Sequence, residues 1–371
     1  LNTKRPLIAR KIANTIREKG KPLRDEDGRL LLNDEGEKML EPGIFTFCKA
    51  TGWFIEEYQC AQVTMNLTDY HVTPPHVVLE KVRELAVEHG VVVTGSELVG
   101  LIPKQAMLEA GTYYLQKQGS CSGQTEDELV RVAIQSMGLE QLTPFDPRKK
   151  IIEYCFQTDV LVAKTVRAFT NETSSDSPAP GGGSVSALAA ALSGALSAMV
   201  ANLTFPKKKF KNVQPMMEEV AVNAQKIKEM CLLAIDTDTA AFNALMNAYA
   251  LPKNTAQETV DRDLAIQNAT KEATRVPFSV LEQVPALLEL AEKVVLQGNP
   301  NSLSDAGVAT LMARTAAMGT YYNVMINLAG ITDSDFVRDV STQAEKIKST
   351  VIDKATELEK IVTDRLKAQL P

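Results

Sequence analysis

"PAPGGGSVSALAAALSGALSAMVANLTFPKKKF", Pro178 to Phe210, holds no charged side chain until Lys207. Three readings compete for it: a membrane span with a basic flank, a phosphate loop, or the central helix of a bundle. A spanning helix needs about 20 predominantly apolar residues. Val185 to Leu203 nearly reaches that length, and Lys207–Lys209 would suit a cytoplasmic flank. Yet the stretch is mostly Ala, Ser and Gly, and no second segment like it occurs in the chain. Side chains that are short on every side let neighbouring helices approach closely, which favours a buried bundle helix. The glycines match neither the dinucleotide turn nor the Gly-Lys-Ser of a P-loop. They read as a turn opening a helix, with Ser184 as its N-cap. Such a turn either receives an anion or polar substrate at the positive helix end, or merely packs, and geometry alone leaves both open. "PKKKFK", Pro206 to Lys211, reads as a solvated turn, with a dock for a polyanionic tail as the alternative.

Downstream of Gly181 the strand signals vanish. Helical patterns are predicted at 184–203, 213–250, 257–297, 304–328 and 333–370. The last carries an apolar stripe from Phe336 through Val340, Ala344, Ile347, Val351, Ala355, Leu358, Val362 and Leu366 to Leu370. Upstream, Lys4–Lys19 reads as a helix and Gly20–Leu40 as a flexible hairpin or loop. Trp53–Leu67 and Gly90–Leu98 read as strands, with a Pro-started, Gly-ended helix between them. Further helices are expected near 103–118 and 125–138. The fold class is therefore multidomain, α+β followed by all-α, with a ferredoxin-like N-terminal part. Its divisions are 1–155, a Ser/Asp/Pro-rich linker at 156–180, and a helical domain at 181–371.

The chain of 371 residues has a formal net charge of −6, which argues against a general nucleic-acid binder. Its five cysteines are scattered, with no CxxC pair, and read as reduced thiols of a cytoplasmic protein. The three histidines, His71, His76 and His89, have no metal-ligating spacing, so no metal is expected. No leader pattern is visible at Leu1–Lys4.

The sharpest chemical signal lies in the predicted helix after Asn212. Its core stripe runs Val220, Ala224, Ile227, Cys231, Ala234, then Asp238, then Ala241 and Leu245. Asp238 thus takes a core position and Asp236 does not. Burying a carboxylate disfavours its charged form and raises its pKa, as a general acid or base near neutrality requires. A structural aspartate with an internal partner is the competing reading. Asp305 and Asn323 share one helix face, with Gly319 between them and Asn327 a turn further. Asp305 also suits the start of its helix, and buried amides such as Asn323 demand partners.

"SPAPGGGSVSALAAALSGALSAMVANLT", "DTDTAAFNALMNAYALPKNT", "VPFSVLE" and "GNPNSLSDAGVATLMARTAAMGTYYNVMINL" resemble the cyclodeaminase domain of the formiminotransferase-cyclodeaminase family. "GWFIEEYQCAQVTMNLTDYHVTPPH", "VTGSELVGLIP" and "PFDPRKKIIEY" resemble the second subdomain of its formiminotransferase half. The resemblance implies conversion of 5-formimino-tetrahydrofolate to 5,10-methenyl-tetrahydrofolate and ammonia, in histidine degradation, with no cofactor beyond the folate substrate. It makes Asp238 the catalytic carboxyl. Gly182, Gly183 and Ser184 would wall the site, Asp305 and Asn323 would orient the substrate, and Lys207, Lys208 and Lys209 are candidates to hold a polyglutamate tail. Gln62, Asn66, Gly95 and Glu97 are candidates to line the family's second folate cleft. The family's first formiminotransferase subdomain has no counterpart in the resemblance, so no histidine here takes its catalytic role and no formiminotransferase activity is expected. Partners expected are folate, no nucleic acid, no membrane, and further copies of the chain in an oligomer built from dimers. A non-catalytic helical scaffold or folate-binding protein is the alternative.

Overall fold

A computed structural model describes residues 1–156 and 160–370. The chain divides into two compact units: Leu1–Gly119 with Glu126–Gln157, and Ser120–Thr125 with Thr158–Pro371. Part of the expected linker, 157–159, lies outside the described residues.

The first unit begins with α1 (Pro6–Ile16), where Pro takes the first helical position, its missing N–H costing nothing there. Of the two forms expected for 20–40, hairpin or loop, the chain takes the hairpin. Two short strands, β1 (Lys21–Pro22) and β2 (Leu40–Glu41), pair antiparallel, and isolated bridges Arg24–Leu30 and Leu32–Lys38 continue it. The expected Trp53–Leu67 strand is two: β3 (Cys48–Ile55) and β4 (Cys60–Leu67), an antiparallel hairpin turning at Glu56–Gln59. The turn needs a positive φ, which Gln59 supplies at 51°.

Helix α2 (Pro75–Glu88) follows as predicted. The strand expected at Gly90–Leu98 does not form. Val91 and Val93 turn inward, and Val92 exchanges hydrogen bonds with Asn2, but no ladder partner runs alongside. Among the described residues the sheets are two-stranded, so the α+β class holds without a four-stranded ferredoxin-like sheet. Helices α1 and α2 cover one hairpin face through Ile12, Ile16, Ala61, Val78 and Val82. A second core joins α3 (Lys104–Lys117) and α4 (Glu126–Met137), and takes in Ile151, between the short helices α5 (Pro147–Lys150) and α6 (Ile152–Cys155), and Tyr154 of α6.

The second unit is all-helical. Its entry is not free chain: Leu161 is buried in the bundle core, Phe169 of α7 (Val166–Thr173) packs on it, and the Leu161 N–H donates to Asp236 Oδ1 at 2.6 Å. Five helices follow: α8 (Gly182–Thr204), α9 (Gln214–Tyr249), α10 (Ala256–Gln297), α11 (Leu303–Leu328) and α12 (Ser334–Lys367). The uncharged α8 packs among α9, α10 and α11. It is long and apolar enough to cross a membrane, but two thirds of it lies buried in the bundle, as its Ala and Ser content anticipates. The α12 stripe is buried at Val340, Ala344, Val351, Ala355, Leu358 and Val362, then emerges into solvent at Leu366 and Leu370.

Helix α10 carries two internal prolines, Pro277 and Pro285. A proline removes the N–H that would bond the carbonyl four residues earlier. For Pro277 that carbonyl belongs to Ala273, and Asn327 of α11 donates to it from Nδ2 at 2.8 Å. The polar Asn327 is thereby explained as a structural amide.

Candidate functional site

The site forms where α8 begins against α9 and α11. Gly181 caps α8 without a side-chain bond, so Ser184 is not the N-cap expected from sequence. It sits inside the first turn, fully buried, and its hydroxyl reaches across to α9. Ser184 Oγ lies 3.0 Å from Asp238 Oδ2, 3.0 Å from the Ile235 carbonyl and 3.4 Å from Thr239 Oγ1. Gly183 makes this approach possible: a Cβ there would stand 2.2 Å from Asp238 Oδ1, well inside contact distance.

Asp238 is half-buried against Gly183 and Ser184. Burial raises its pKa above the usual carboxylate range, opposed by the hydroxyl and backbone N–H of Ser184; no charged neighbour contributes. The stripe set Asp238 in the core and Asp236 outside it, whereas both are half-buried in the structure. Asp236, off the stripe, is the residue that secures Leu161.

The third wall is α11. Asn323 faces Gly182, whose Cβ position lies 3.2 Å from Asn323 Nδ2, and Nδ2 donates to the Gly319 carbonyl at 2.8 Å. Gly319 itself lies under Ser186 Oγ, 2.2 Å from where its Cβ would stand, and Ser186 Oγ donates to the Gly182 carbonyl at 2.6 Å. Gly182, Gly183, Ser184, Asp238 and Asn323 thus come together. Ser186, Thr239 and Gly319 complete the group and were not singled out as site residues. For two of them the signal was the helical register: Ser186 lies one turn past Gly182, and Gly319 one turn before Asn323.

Asp305 and the lysines do not join this group within the chain. Asp305 shares a face with Asn323 but stands eighteen residues away, about 27 Å along a straight helix. A shared face is not a shared site. Lys207, Lys208 and Lys209 follow the C-terminal end of the 23-residue α8, about 35 Å long, whereas Ser184 opens it. Lys209 Nζ rests 4.8 Å from the Phe210 ring.

In the first unit, Gln62 and Asn66 lie on the hairpin face opposite the core, paired across the ladder with Trp53 and Lys49. Thr64 between them accepts from Trp53 Nε1 at 3.0 Å, and the Trp53 ring is half-exposed. Glu97 accepts from the Tyr58 hydroxyl at 3.3 Å near the hairpin turn. Gly95 is covered by Gln141, whose side chain occupies the space a Cβ would need. His76 is buried against Tyr113, with ring centroids 4.8 Å apart, and burial lowers its pKa. No cluster of metal-ligating side chains occurs among the described residues.

A half-buried carboxyl of raised pKa, pressed on a glycine in an all-helical unit, marks a candidate functional site. Comparison with known families agrees. A model described as formiminotransferase domain matches residues 1–157, and one described as formiminotransferase-cyclodeaminase matches 165–346. The chain belongs to the formiminotransferase-cyclodeaminase family.

Formimidoyltransferase-cyclodeaminase of Gallus gallus is 36% identical over 325 residues, covering 86% of this chain and 60% of that protein. Methenyltetrahydrofolate cyclohydrolase of Methylorubrum extorquens is 38% identical over 176 residues, 47% of this chain and 85% of its own length. Among solved structures, formiminotetrahydrofolate cyclodeaminase of Thermotoga maritima matches with a TM-score of 0.50 and 28% identity, over 55% of this chain and 98% of its own. The chain spans about three fifths of the length of the bifunctional relatives it matches, 60% for the Gallus gallus protein and 57% for that of Rattus norvegicus. The match at 1–157 gives no support to the expectation that a formiminotransferase subdomain is missing.

Proposed function

We propose that the helical unit is a 5-formimino-tetrahydrofolate cyclodeaminase in which Asp238 moves the protons. With the formimino group entering as its amidinium, N10 of the folate attacks the formimino carbon and closes a five-membered ring. N10 gives its proton to the Asp238 carboxylate. The carboxylic acid then passes that proton to the departing nitrogen, ammonia leaves, and the 5,10-methenyl cation remains. One carboxyl serves both transfers, accepting the proton and giving it back, and burial raises its pKa in the direction this requires. Ring closure is intramolecular, so holding the folate in a near-attack pose supplies much of the remaining acceleration. The reaction so written needs no cofactor beyond the folate, and Asn323, half-buried beside Gly182, is the residue proposed to orient it.

The observation that carries this reading is the carboxyl of Asp238 seated on Gly183 and bonded to Ser184. Its test is Asp238→Asn: the folded variant loses formation of the methenyl product, followed by absorbance. Wild-type turnover would sink the assignment, and folate binding without turnover in the unaltered chain would favour a binding protein.

The cyclohydrolase among the relatives favours a second reading, in which water attacks the methenyl carbon with Asp238 as base. Ammonia release from the formimino substrate marks the first activity. Accelerated loss of methenyl absorbance above the buffer rate marks the second.

For residues 1–157 the proposal is folate contact through the polar hairpin face of Gln62 and Asn66, with Glu97, which accepts from Tyr58 by the hairpin turn, and Gly95 as further candidates. Quenching of Trp53, the single tryptophan, on folate titration tests it. Self-association is proposed through the uncharged α8, which leaves Val185, Leu192, Met199 and Leu203 exposed, beside Tyr322 and Ile326 of α11. Free thiols at all five cysteines suit a cytoplasmic setting.

A further inference from the structure

A carboxyl that shuttles a proton must be satisfied both with the proton and without it. The surroundings of Asp238 contain one group able to serve both states. Ser184 Oγ carries a single proton and two lone pairs. Around it stand two competing acceptors at equal distance, Asp238 Oδ2 and the Ile235 carbonyl, each 3.0 Å away, with Thr239 Oγ1 at 3.4 Å. Only one of the acceptors can receive the proton at a time.

We propose that Ser184 is the positioning residue for Asp238, its hydroxyl turning between Asp238 Oδ2 and the Ile235 carbonyl as the carboxyl loses and gains its proton. This rests on the cyclodeaminase reading of the site. When Asp238 is a carboxylate, the Ser184 O–H donates to Oδ2. When Asp238 has taken the proton from N10, its own O–H donates to Ser184 Oγ, and the serine proton turns to the Ile235 carbonyl. Ser184 gains and loses no proton over the cycle; only the torsion about its Cβ–Oγ bond changes.

The backbone around the pair is held still. Ser184 is fully buried, Gly183 bears directly on the carboxyl, and the Ile235 carbonyl lies on α9, the helix that carries Asp238. A rotating hydroxyl therefore costs no movement of heavy atoms, so both protonation states keep the same geometry. Charged groups do not perform the task instead. Helix α8 has none; on α9 the neighbour Asp236 is engaged with Leu161; on α11 the charged residues are Asp305 and Arg314, and Arg314 pairs with Glu359 at 3.0 Å. Burial and the Ser184 contacts account for the carboxyl's raised pKa.

The test is Ser184→Ala with a pH profile of kcat/KM for methenyl formation. A hydrogen bond to a charged group contributes about 1.5–3 kcal/mol, and 1.4 kcal/mol is tenfold. Without the hydroxyl the carboxylate is less stable, so the acid limb moves to higher pH and kcat/KM on that limb falls by about tenfold or more. The high-pH side falls less. A 13C-carboxyl NMR titration of Asp238 in the same variant should show the midpoint moving upward, without any turnover being needed. An unmoved midpoint and an unmoved acid limb would overturn the proposal, even if Tm falls, because a merely structural serine changes stability and not titration. Ser184→Cys, with a weaker donor of similar shape, should move both readouts in the same direction by less; it decides the matter if the alanine variant does not fold. Asp238→Asn separates the two levels. If it turns over normally, the cyclodeaminase reading fails; if it is inactive while Ser184→Ala titrates like wild type, only this inference fails.

Discussion

At the residue scale, the arrangement trades stability for a usable acid. Burial puts the folded-state pKa of Asp238 above its unfolded value, so the folded chain holds that proton more tightly. Stability from this group is then full below the unfolded pKa and is lost as pH rises through the raised folded one. Asp238→Asn removes the titration while keeping an oxygen to accept from Ser184. The variant should match wild type in acid and unfold at higher temperature above the folded pKa, by calorimetry across pH. A wild type that is the more stable at neutral pH would show the carboxylate to be structural. Gly183→Ala places a methyl where the carboxyl lies, and should cost about 1–3 kcal/mol with loss of turnover. Asp238 was legible in the sequence because a charged residue at a core position breaks a regular pattern. Ser184 was misread as a cap because a serine behind glycines looks the same whether its hydroxyl turns back on its own helix or across to the next.

At the element scale, α10 and α11 form a linked pair. Pro277 leaves the Ala273 carbonyl without its helical donor, and Asn327 supplies one from the neighbouring helix. Asn327→Leu should cost about 1–3 kcal/mol, the penalty of an unsatisfied buried acceptor. The same change made on Pro277→Ala should cost much less, since the restored N–H at 277 bonds Ala273 itself. Equal costs in a denaturant-based double-mutant cycle would contradict the pairing. The five bundle helices were legible almost to the residue, because long periodic segments carry many repeats of one signal. The first unit was less so. Trp53–Leu67 looked like one strand because its turn uses Glu56, Glu57 and Gln59 instead of the usual Gly or Asn. Gly90–Leu98 has strand composition, yet composition does not provide a pairing partner.

At the scale of the molecule, length separates features that periodicity had joined. Asp305 and Lys207–Lys209 stand at the far end of the bundle from Asp238, a helix length away. Replacing the three lysines by Gln should leave kcat/KM for a monoglutamate folate unchanged, and any effect should appear only with long polyglutamate tails. An equal loss on both substrates would contradict a tail-binding role. The apolar strip of α8 and α11 predicts that Ile326→Asp weakens self-association in sedimentation velocity, whereas an unchanged mass would place the contact elsewhere. All of these depend on what the Asp238 carboxyl does. The most direct measurement is the turnover of 5-formimino-tetrahydrofolate by purified Asp238→Asn protein shown to be folded, with methenyl absorbance and ammonia read together. A loss of at least about a hundredfold in both signals is expected, the scale of general acid–base catalysis, with folate still bound. Ammonia and methenyl product at the wild-type rate would contradict it.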